Sequence, residues 1–289
     1  MKWKFTRGRL KYSVDESFFD VWTSEMAYLL GFTYADGNIY ITSLSWDLQK
    51  RDLDILEKIK NILNCTYPIT FHRGKSYRLR ISNQMLVNRA IRRGLLPKKN
   101  LRKVLPEISK HLMRHIVRGY LEGDGWVVLR TGRNELDIGF TGASKEFLED
   151  LNDIISRENN ITPGKVREKN KITPRGIKSV TYLLEYYSSR AYKISQWLYD
   201  NLSETDLYLN RKYMKYLDAK KLYQFLQSGH KKVREVQKRE GRSIKEILDE
   251  LHLEKNLNAV QIAPILGVHK SSIYRWLAES GIRYPTKRA

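Results

Sequence analysis

A short pattern that occurs twice constrains the fold of this chain more than any other feature. Residues 28–40 read YLLGFTYADGNIY and residues 116–128 read IVRGYLEGDGWVV. Aligned on their Asp-Gly pairs, the copies match at a glycine, at an aromatic residue and at the acid, which is Asp36 in one copy and Asp124 in the other. Two copies are too few for a solenoid. The repeat therefore predicts a duplicated domain with pseudo-two-fold symmetry.

Each copy also predicts an apolar helix that can pack closely against its counterpart. Gly31 and Ala35 are four residues apart, as are Gly119 and Gly123, so each pair lies on one helix face. Small residues at this spacing let two helix backbones approach each other closely. We therefore expect the two helices to meet near the pseudo-two-fold axis.

The acid that ends each helix is placed where it is electrostatically disfavoured. A helix C-terminus carries partial negative charge, which costs an acid there roughly 0.3–1 kcal/mol. If the helix ends converge, Asp36 and Asp124 also repel each other. A divalent cation with oxygen ligands, Mg²⁺ or Mn²⁺, would offset that repulsion. The pattern therefore predicts a metal site that can activate water for displacement at phosphorus.

The composition points to a polyanionic partner. The 289 residues include 53 Lys and Arg against 32 Asp and Glu, a net charge of +21. Nucleic acid fits this charge better than a membrane surface, because no apolar run approaches the ~20 residues of a spanning helix. A generic RNA-binding protein would fit the charge but would leave the repeated acid unexplained. The single cysteine excludes internal disulfides and predicts a reducing, cytoplasmic or other intracellular location.

The two halves predict the same order of elements. Each reads helix, two strands, helix, two strands, helix, which indicates an α+β fold. We assign the first repeat to residues 1–110, with a basic N-terminal extension, and the second to residues 111–217. Residues 47–63, DLQKRDLDILEKIKNIL, are predicted to be helical, and YPITFHR and SYRLRIS are predicted to form a hairpin.

Basic residues alternate with apolar ones on the predicted strands. In SYRLRIS, the two arginines face away from the apolar side chains, so one sheet face packs on helices and the other is basic. A solvated sheet face would look similar, but similar strands occur in both halves. We expect a DNA-binding surface that contains Arg73, Arg78, Arg80, Arg130, Arg133, Arg167 and Lys169.

The C-terminal part predicts a separate helical module. Residues 218–242 form a charged helical connector, and residues 243–289 contain two short helices joined at Gly267. This spacing predicts a helix-turn-helix whose second helix enters a DNA groove, although an ordinary helical hairpin remains an alternative. Ile273 and Leu277 should be buried, and Trp276 fits either role. The residues expected to face DNA are Lys270, Ser271, Ser272, Tyr274 and Arg275.

The repeated motifs, LLGFTYADG and VRGYLEGDG, resemble the two signature motifs of the single-chain LAGLIDADG homing endonucleases over about residues 20–217. The resemblance implies a monomer with two α-β-β-α-β-β-α repeats and saddle-shaped antiparallel sheets over DNA. It implies metal ligation by Asp36 and Asp124, assisted by the backbone carbonyls of Ala35 and Gly123.

The family also has a lysine near the active site after each motif. The resemblance carries that role to Lys99, with Lys98 as the alternative, and to Lys212; plain phosphate-contacting lysines would fit as well. Tyr34 and Glu122 depart from the usual motif, and we expect Glu122 to be exposed or paired.

These observations favour a site-specific, Mg²⁺-dependent DNA endonuclease of the intron-homing type. The first alternative is a non-catalytic transcription regulator that joins a LAGLIDADG-like domain to a helix-turn-helix. Such regulators typically lose the acids, whereas this chain keeps both. The second alternative is an intron maturase, with intron RNA as a partner. The chain has no splice-junction pattern, so we expect a free-standing or intron-encoded protein.

Overall fold

The computed structural model describes residues 11–97, 104–130, 135–172, 178–203 and 205–282, without the side chains of residues 171, 172, 178, 179 and 225–230. The predicted site residues Lys98, Lys99 and Arg133 therefore lie outside the described residues. The chain divides into two compact units, Met1–Ala219 and Lys220–Ala289. In the described part, no helix is both long enough and apolar enough to cross a membrane.

The first repeat has the predicted element order. Its elements are α1 (Ser24–Asp36), β1 (Gly37–Ile39), β2 (Ser43–Gln49), α2 (Leu53–Ile62), β3 (Ile69–His72), β4 (Ser76–Ser82) and α3 (Gln84–Arg92). The four strands pair antiparallel in the order β1-β2-β4-β3.

The start of the second helix in this repeat differs from the prediction. Residues 47–49 belong to β2, and a 3₁₀ turn, Lys50–Asp52, precedes α2. Leu44, Trp46 and Leu48 are all buried at alternate positions, which is the period of a strand. The prediction that a helix begins at residue 47 was therefore wrong, because Leu48 belongs to the strand pattern.

The second repeat follows the same order. Its elements are α4 (Lys110–Asp124), β5 (Gly125–Arg130), β6 (Glu135–Gly142), α5 (Lys145–Asn159), β7 (Val166–Ile172), β8 (Lys178–Tyr187) and α6 (Ser188–Tyr199). Its sheet is again antiparallel, in the order β5-β6-β8-β7.

The two sheets also share their register. Gly37 pairs with Trp46 in the first sheet, and Gly125 pairs with Phe140 in the second. Trp46 and Phe140 are both fully buried, so each marks the sheet face that packs on helices. The predicted α+β class with two repeats of equal topology is confirmed.

Reciprocal glycine contacts hold α1 against α4. A Cβ built on Gly31 would lie 2.0 Å from the carbonyl oxygen of Ile116, and one built on Gly119 would lie 2.2 Å from that of Tyr28. In the alignment of the motifs, Ile116 and Tyr28 are themselves equivalent residues. The missing side chain of each glycine therefore leaves room for a carbonyl group of the other helix. The two carbonyl groups are at equivalent positions, as a pseudo-two-fold axis requires.

The second unit is helical throughout its regular structure. α7 (Asn210–Glu240) spans the boundary between the units, and then follow α8 (Ile244–Leu248), a π-helical turn (Asp249–Glu254), α9 (Ala259–Leu266) and α10 (Lys270–Glu279). Gly267 joins the last two helices with a φ of 65°, the left-handed conformation that favours glycine. Ile273, Trp276 and Leu277 are buried in the core of this unit, so Trp276 has the structural role.

We predict that Gly31→Ala destabilises the first unit. Replacing glycine by alanine in a helix gains about 1 kcal/mol in propensity. The added methyl would meet the Ile116 backbone at 2.0 Å, and overpacking of this kind costs about 1–3 kcal/mol or more. We expect a net decrease in the free energy of unfolding, measured by chemical denaturation.

Gly142→Ala is the matched control, because a Cβ there meets only side-chain atoms, at 3.2 Å or more. It should change stability much less. A Gly31→Ala variant as stable as the parent would mean that α1 and α4 are not in backbone contact.

Candidate active site and nucleic-acid interface

The two repeated aspartates lie at the ends of the packed helices. α1 ends at Asp36 and α4 ends at Asp124, and each is followed directly by the first strand of its sheet. A Cβ built on Gly123 would lie 2.3 Å from Ala35 Cβ and 3.4 Å from Asp36 Cγ. The helices therefore stay in contact to their last turn. Both aspartates are half-buried, and each lies where its helix meets the first strand of its sheet.

Lys212, in the first turn of α7, neutralises the negative end of α4. Its buried ammonium donates hydrogen bonds to the carbonyl oxygens of Leu121 at 2.7 Å, Glu122 at 2.8 Å and Gly125 at 2.6 Å. Burial lowers the pKa of Lys212 to about 8, so at neutral pH the ammonium remains largely protonated and keeps its three N–H donors. Lys212 thereby fixes the backbone on both sides of the α4 aspartate.

Glu122 is buried and paired. Its Oε2 accepts hydrogen bonds from the Tyr28 hydroxyl at 2.6 Å and from the backbone N–H of Leu209 at 2.8 Å. Burial raises the pKa of the Glu122 carboxyl, and the positive charge of the buried Arg118 opposes that effect. Glu122 therefore links α4 to α1 and to the segment before α7, a structural role that the sequence motif alone does not reveal.

The donor set at the helix ends fits an oxygen-binding divalent cation. Asp36 and Asp124 would supply carboxylates, and Ala35 and Gly123 would supply the preceding backbone carbonyls. Among the described residues, no group of three or more His, Cys, Asp or Glu could hold a metal. A cation held by two carboxylates keeps several water ligands, which suits Mg²⁺ better than a metal that needs a full protein cage.

Asp124 lies beside a cavity, and its backbone carbonyl is held by the neighbouring strand. A cavity of about 200 Å³ opens beside Asp124. The Thr141 hydroxyl donates to the Asp124 carbonyl oxygen at 2.8 Å. The Tyr120 hydroxyl donates to the Thr141 carbonyl at 2.7 Å, which fixes that strand end. The cavity wall is completed by Tyr34, Gly142, Ala143, Ser144, Phe147 and Thr181.

The predicted basic strand residues lie on the sheet faces opposite the helices. Arg78 and Arg80 alternate with the buried Leu79 and Ile81, as the sequence predicted. In the second sheet, Arg130, Arg167 and Lys169 are exposed. Arg73 lies in the turn between β3 and β4 with a φ of 51°. The two sheets therefore each present basic side chains on one face.

Carboxylates accompany three of these arginines. Arg78 hydrogen-bonds Asp47 and Arg130 hydrogen-bonds Asp137. The contact of Arg167 with Glu185 is looser, at 3.9 Å. Neither Asp47 nor Asp137 was assigned a role from the sequence. Asp47 was predicted to begin a helix, and for Asp137 a single acid in a strand carries no signal until its cross-strand neighbour is known.

The basic residues of the two sheets are not at equivalent positions. Leu79 pairs with Trp46 as Leu184 pairs with Phe140, so the neighbouring Arg78 corresponds to Leu183. By the same register, Arg80 corresponds to Glu185, and Arg167 to Thr70. The backbone repeats, but the chemistry of the two outer faces does not.

In the second unit, α10 carries the residues predicted to face DNA on its outer side. Lys270, Ser271 and Tyr274 are exposed, and Ser272 and Arg275 are half-buried. Arg275 Nε lies 3.8 Å from a carboxylate oxygen of Glu279, one turn later on the same helix.

We predict that Lys212→Met destabilises the first unit by about 3 kcal/mol or more. The substitution keeps the apolar stem but removes the ammonium that donates to three carbonyl oxygens, and a buried acceptor left unsatisfied costs about 1–3 kcal/mol. Lys215→Met, at an exposed position in the next turn, is the control and should change stability by less than about 0.5 kcal/mol. Chemical denaturation measures both. Equal effects of the two variants would show that Lys212 does not hold the end of α4.

Comparison with solved structures returns DNA-bound proteins at low sequence identity. The I-LtrWI LAGLIDADG homing endonuclease bound to target DNA is 14% identical over 74% of this chain and 92% of that chain, with a TM-score of 0.43. The I-SmaMI LAGLIDADG homing endonuclease bound to cleaved DNA is 14% identical over 73% and 91%, with a TM-score of 0.47. The homing endonuclease I-WcaI bound to its DNA recognition sequence is 12% identical over 70% of this chain and 91% of that chain, with a TM-score of 0.41.

A search of curated proteins found no match. A family model described as LAGLIDADG-like domain matches residues 112–196, the segment from α4 into α6. That match covers the second motif and the whole second sheet. The resemblance drawn from the repeated motifs is confirmed over this segment: residues 112–196 of the chain are a LAGLIDADG-like domain.

Proposed function

We propose that this chain is a site-specific endonuclease that cuts both strands of duplex DNA with a divalent metal ion. The observation that carries the proposal is the convergence of Asp36 and Asp124 at the ends of two helices in backbone contact. Sheets with basic outer faces begin at both acids. The LAGLIDADG-like domain at residues 112–196 supports the same function.

The chain's own residues would hold the metal and position the substrate. Asp36 and Asp124 would bind Mg²⁺ or Mn²⁺, with help from the backbone carbonyls of Ala35 and Gly123. The bound ion would supply an activated water and stabilise charge at the scissile phosphate. Lys212 would keep the end of α4 rigid, which preserves the separation of the two carboxylates. By resemblance, Lys99 is proposed to act near the same centre.

The proposed substrate is a long duplex, bound by a monomer. One chain contains both acids and both sheets, so a second copy is not needed to complete the site. The net charge of +21 favours phosphate contacts along the duplex. Because equivalent positions on the two sheets carry different side chains, the target should not be a palindrome.

The second unit is proposed to bind the same DNA outside the region that the sheets contact. α9, the Gly267 turn and α10 have the lengths and the buried face of a helix-turn-helix. The exposed residues of α10 would enter a groove or contact its phosphates. The non-catalytic regulator would use this unit in the same way, so the two functions differ at the paired acids.

We predict that Asp36→Asn and Asp124→Asn each lower double-strand cleavage by more than about 100-fold and leave DNA binding largely intact. Loss of even an outer-shell partner of a metal costs about 10–100-fold, and these acids are proposed as direct ligands. Cleavage of a selected target with Mg²⁺ or Mn²⁺, together with binding measured in Ca²⁺, tests both parts.

Asp54→Asn is the matched control, since it makes the same charge change at an exposed position of α2. It should cut normally. A parent protein that binds one duplex tightly but never cuts it would contradict the nuclease and favour the regulator. Binding to structured intron RNA but not to duplex DNA would favour the maturase.

We predict that the double variant Ser271→Ala, Tyr274→Ala weakens binding and shortens the footprint at one end only. Linked binding modules commonly raise affinity by about 10² or more. Cleavage at saturating protein should stay unchanged, because the change is outside the first unit. Leu253→Ala, at another exposed position of the second unit, is the control. A full-length footprint for the double variant would mean that α10 does not contact the target.

A further inference from the structure

Two acids lie on sheet faces that are otherwise suited to bind a polyanion. Asp47 on β2 and Asp137 on β6 both project on the side opposite the helices, because their strand neighbours Trp46 and Ile138 are fully buried. A carboxylate on such a face weakens binding to phosphate. A role in raising the affinity for phosphate therefore does not explain why each sheet has such an acid.

Each acid holds an arginine in one orientation. Arg78 is directly opposite Asp47 across the β2–β4 ladder, and both its Nε, at 2.7 Å, and its Nη2 donate to Asp47 Oδ2. Asp47 in turn is fixed by the Ser76 hydroxyl at 3.5 Å and by His72, whose Nδ1 lies 3.4 Å from Oδ1. Two N–H bonds to one carboxylate fix the plane of the guanidinium.

The second pair is also an aspartate and an arginine on one sheet face, but the two residues are not directly opposite each other. Arg130 Nε donates to Asp137 Oδ2 across a diagonal of the β5–β6 ladder. The Asp137 carboxylate is only 3% exposed, whereas the Arg130 side chain is 53% exposed. The buried acid therefore anchors the stem end of the guanidinium while the far end reaches solvent.

We propose that Asp47 and Asp137 orient Arg78 and Arg130 so that each arginine reads one guanine in the major groove. The inference rests on the proposed function, in that the substrate is duplex DNA. In both pairs the carboxylate takes the Nε side of the guanidinium and leaves an N–H on each Nη for a base. Two such donors match the O6 and N7 acceptors of guanine, and a good bidentate pair discriminates by about 1–3 kcal/mol, or roughly 5- to 150-fold.

Within the described part of the chain, neither Arg80 nor Arg167 hydrogen-bonds a carboxylate in this way. Arg80 is exposed, with its guanidinium 5.7 Å from the centre of the Tyr40 ring, and Arg167 is 3.9 Å from Glu185 without a hydrogen bond between them in the described structure. A guanidinium that no carboxylate orients suits a phosphate, whose position does not depend on sequence. Arg80 and Arg167 are therefore matched controls on the same faces.

The register sets the two guanines at unequal distances from the cleavage centre. Gly37 pairs with Trp46 at the end of the β1–β2 ladder, and Asp36 and Asp47 are the next residues beyond that pair. Asp47 and its cross-strand partner Arg78 therefore lie at about the same height along the strands as Asp36. Arg130 lies six residues beyond Asp124 on β5, about 20 Å at 3.3 Å per residue. The guanine read by Arg78 should be nearer the centre than the one read by Arg130.

The test is selection of bound duplexes from a randomised library by the full chain and its variants. Arg78→Lys and Asp47→Asn should both lose the preference for guanine at one same position, by roughly 5- to 150-fold. Arg130→Lys and Asp137→Asn should lose it at a second position, farther out in the other half of the site. Arg80→Lys and Arg167→Lys should keep every base preference, because lysine also binds phosphate.

Three outcomes decide between the possibilities. If the parent selects a sharp site and the arginine and aspartate variants keep its base preferences, the inference is overturned while the proposed function stands. Uniformly weaker binding to all sequences would also overturn it and assign Arg78 and Arg130 to phosphates. A parent that selects no duplex would refute the proposed function itself. Should Asp137→Asn fail to fold, as judged by its unfolding temperature, Arg130→Lys decides that pair.

Discussion

The backbone contact between α1 and α4 is the constraint on which the first unit depends. Gly31 and Gly119 each pack against a backbone carbonyl of the opposite helix, and a methyl group at either position would collide with that carbonyl. This contact fixes the axis that relates the two repeats. Because each helix runs directly into the first strand of its sheet, the same contact also fixes where both sheets begin.

Close packing of the helix ends brings negative charges together, and the protein's own residues offset part of that charge. Two negative helix ends and two carboxylates converge at Asp36 and Asp124. Lys212 donates to three carbonyls at the end of α4, and Glu122 is buried beneath them with Tyr28 as a partner. A bound divalent cation is proposed to offset the charge of the two carboxylates.

The duplication extends to the backbone but not to the outer faces of the sheets. Arg78 and Leu183 occupy equivalent register positions, as do Arg80 and Glu185. Packing against the helices constrains the inner faces, where both sheets bury large apolar residues. The outer faces are free of that constraint and have diverged, which is what a surface that contacts two different half-sites would require.

The sequence by itself determined the repeat, the element order, the helices that end in acid and the alternation of basic and apolar residues on the strands. These features depend on local period and on comparison of the chain with itself. Only the tertiary structure decided that Lys212 holds the end of α4, that Glu122 is buried against Tyr28, and that Asp47 and Asp137 anchor arginines. Those contacts join residues that are distant in the chain or on different strands, and side-chain pairing across a sheet depends on a register that no local pattern specifies.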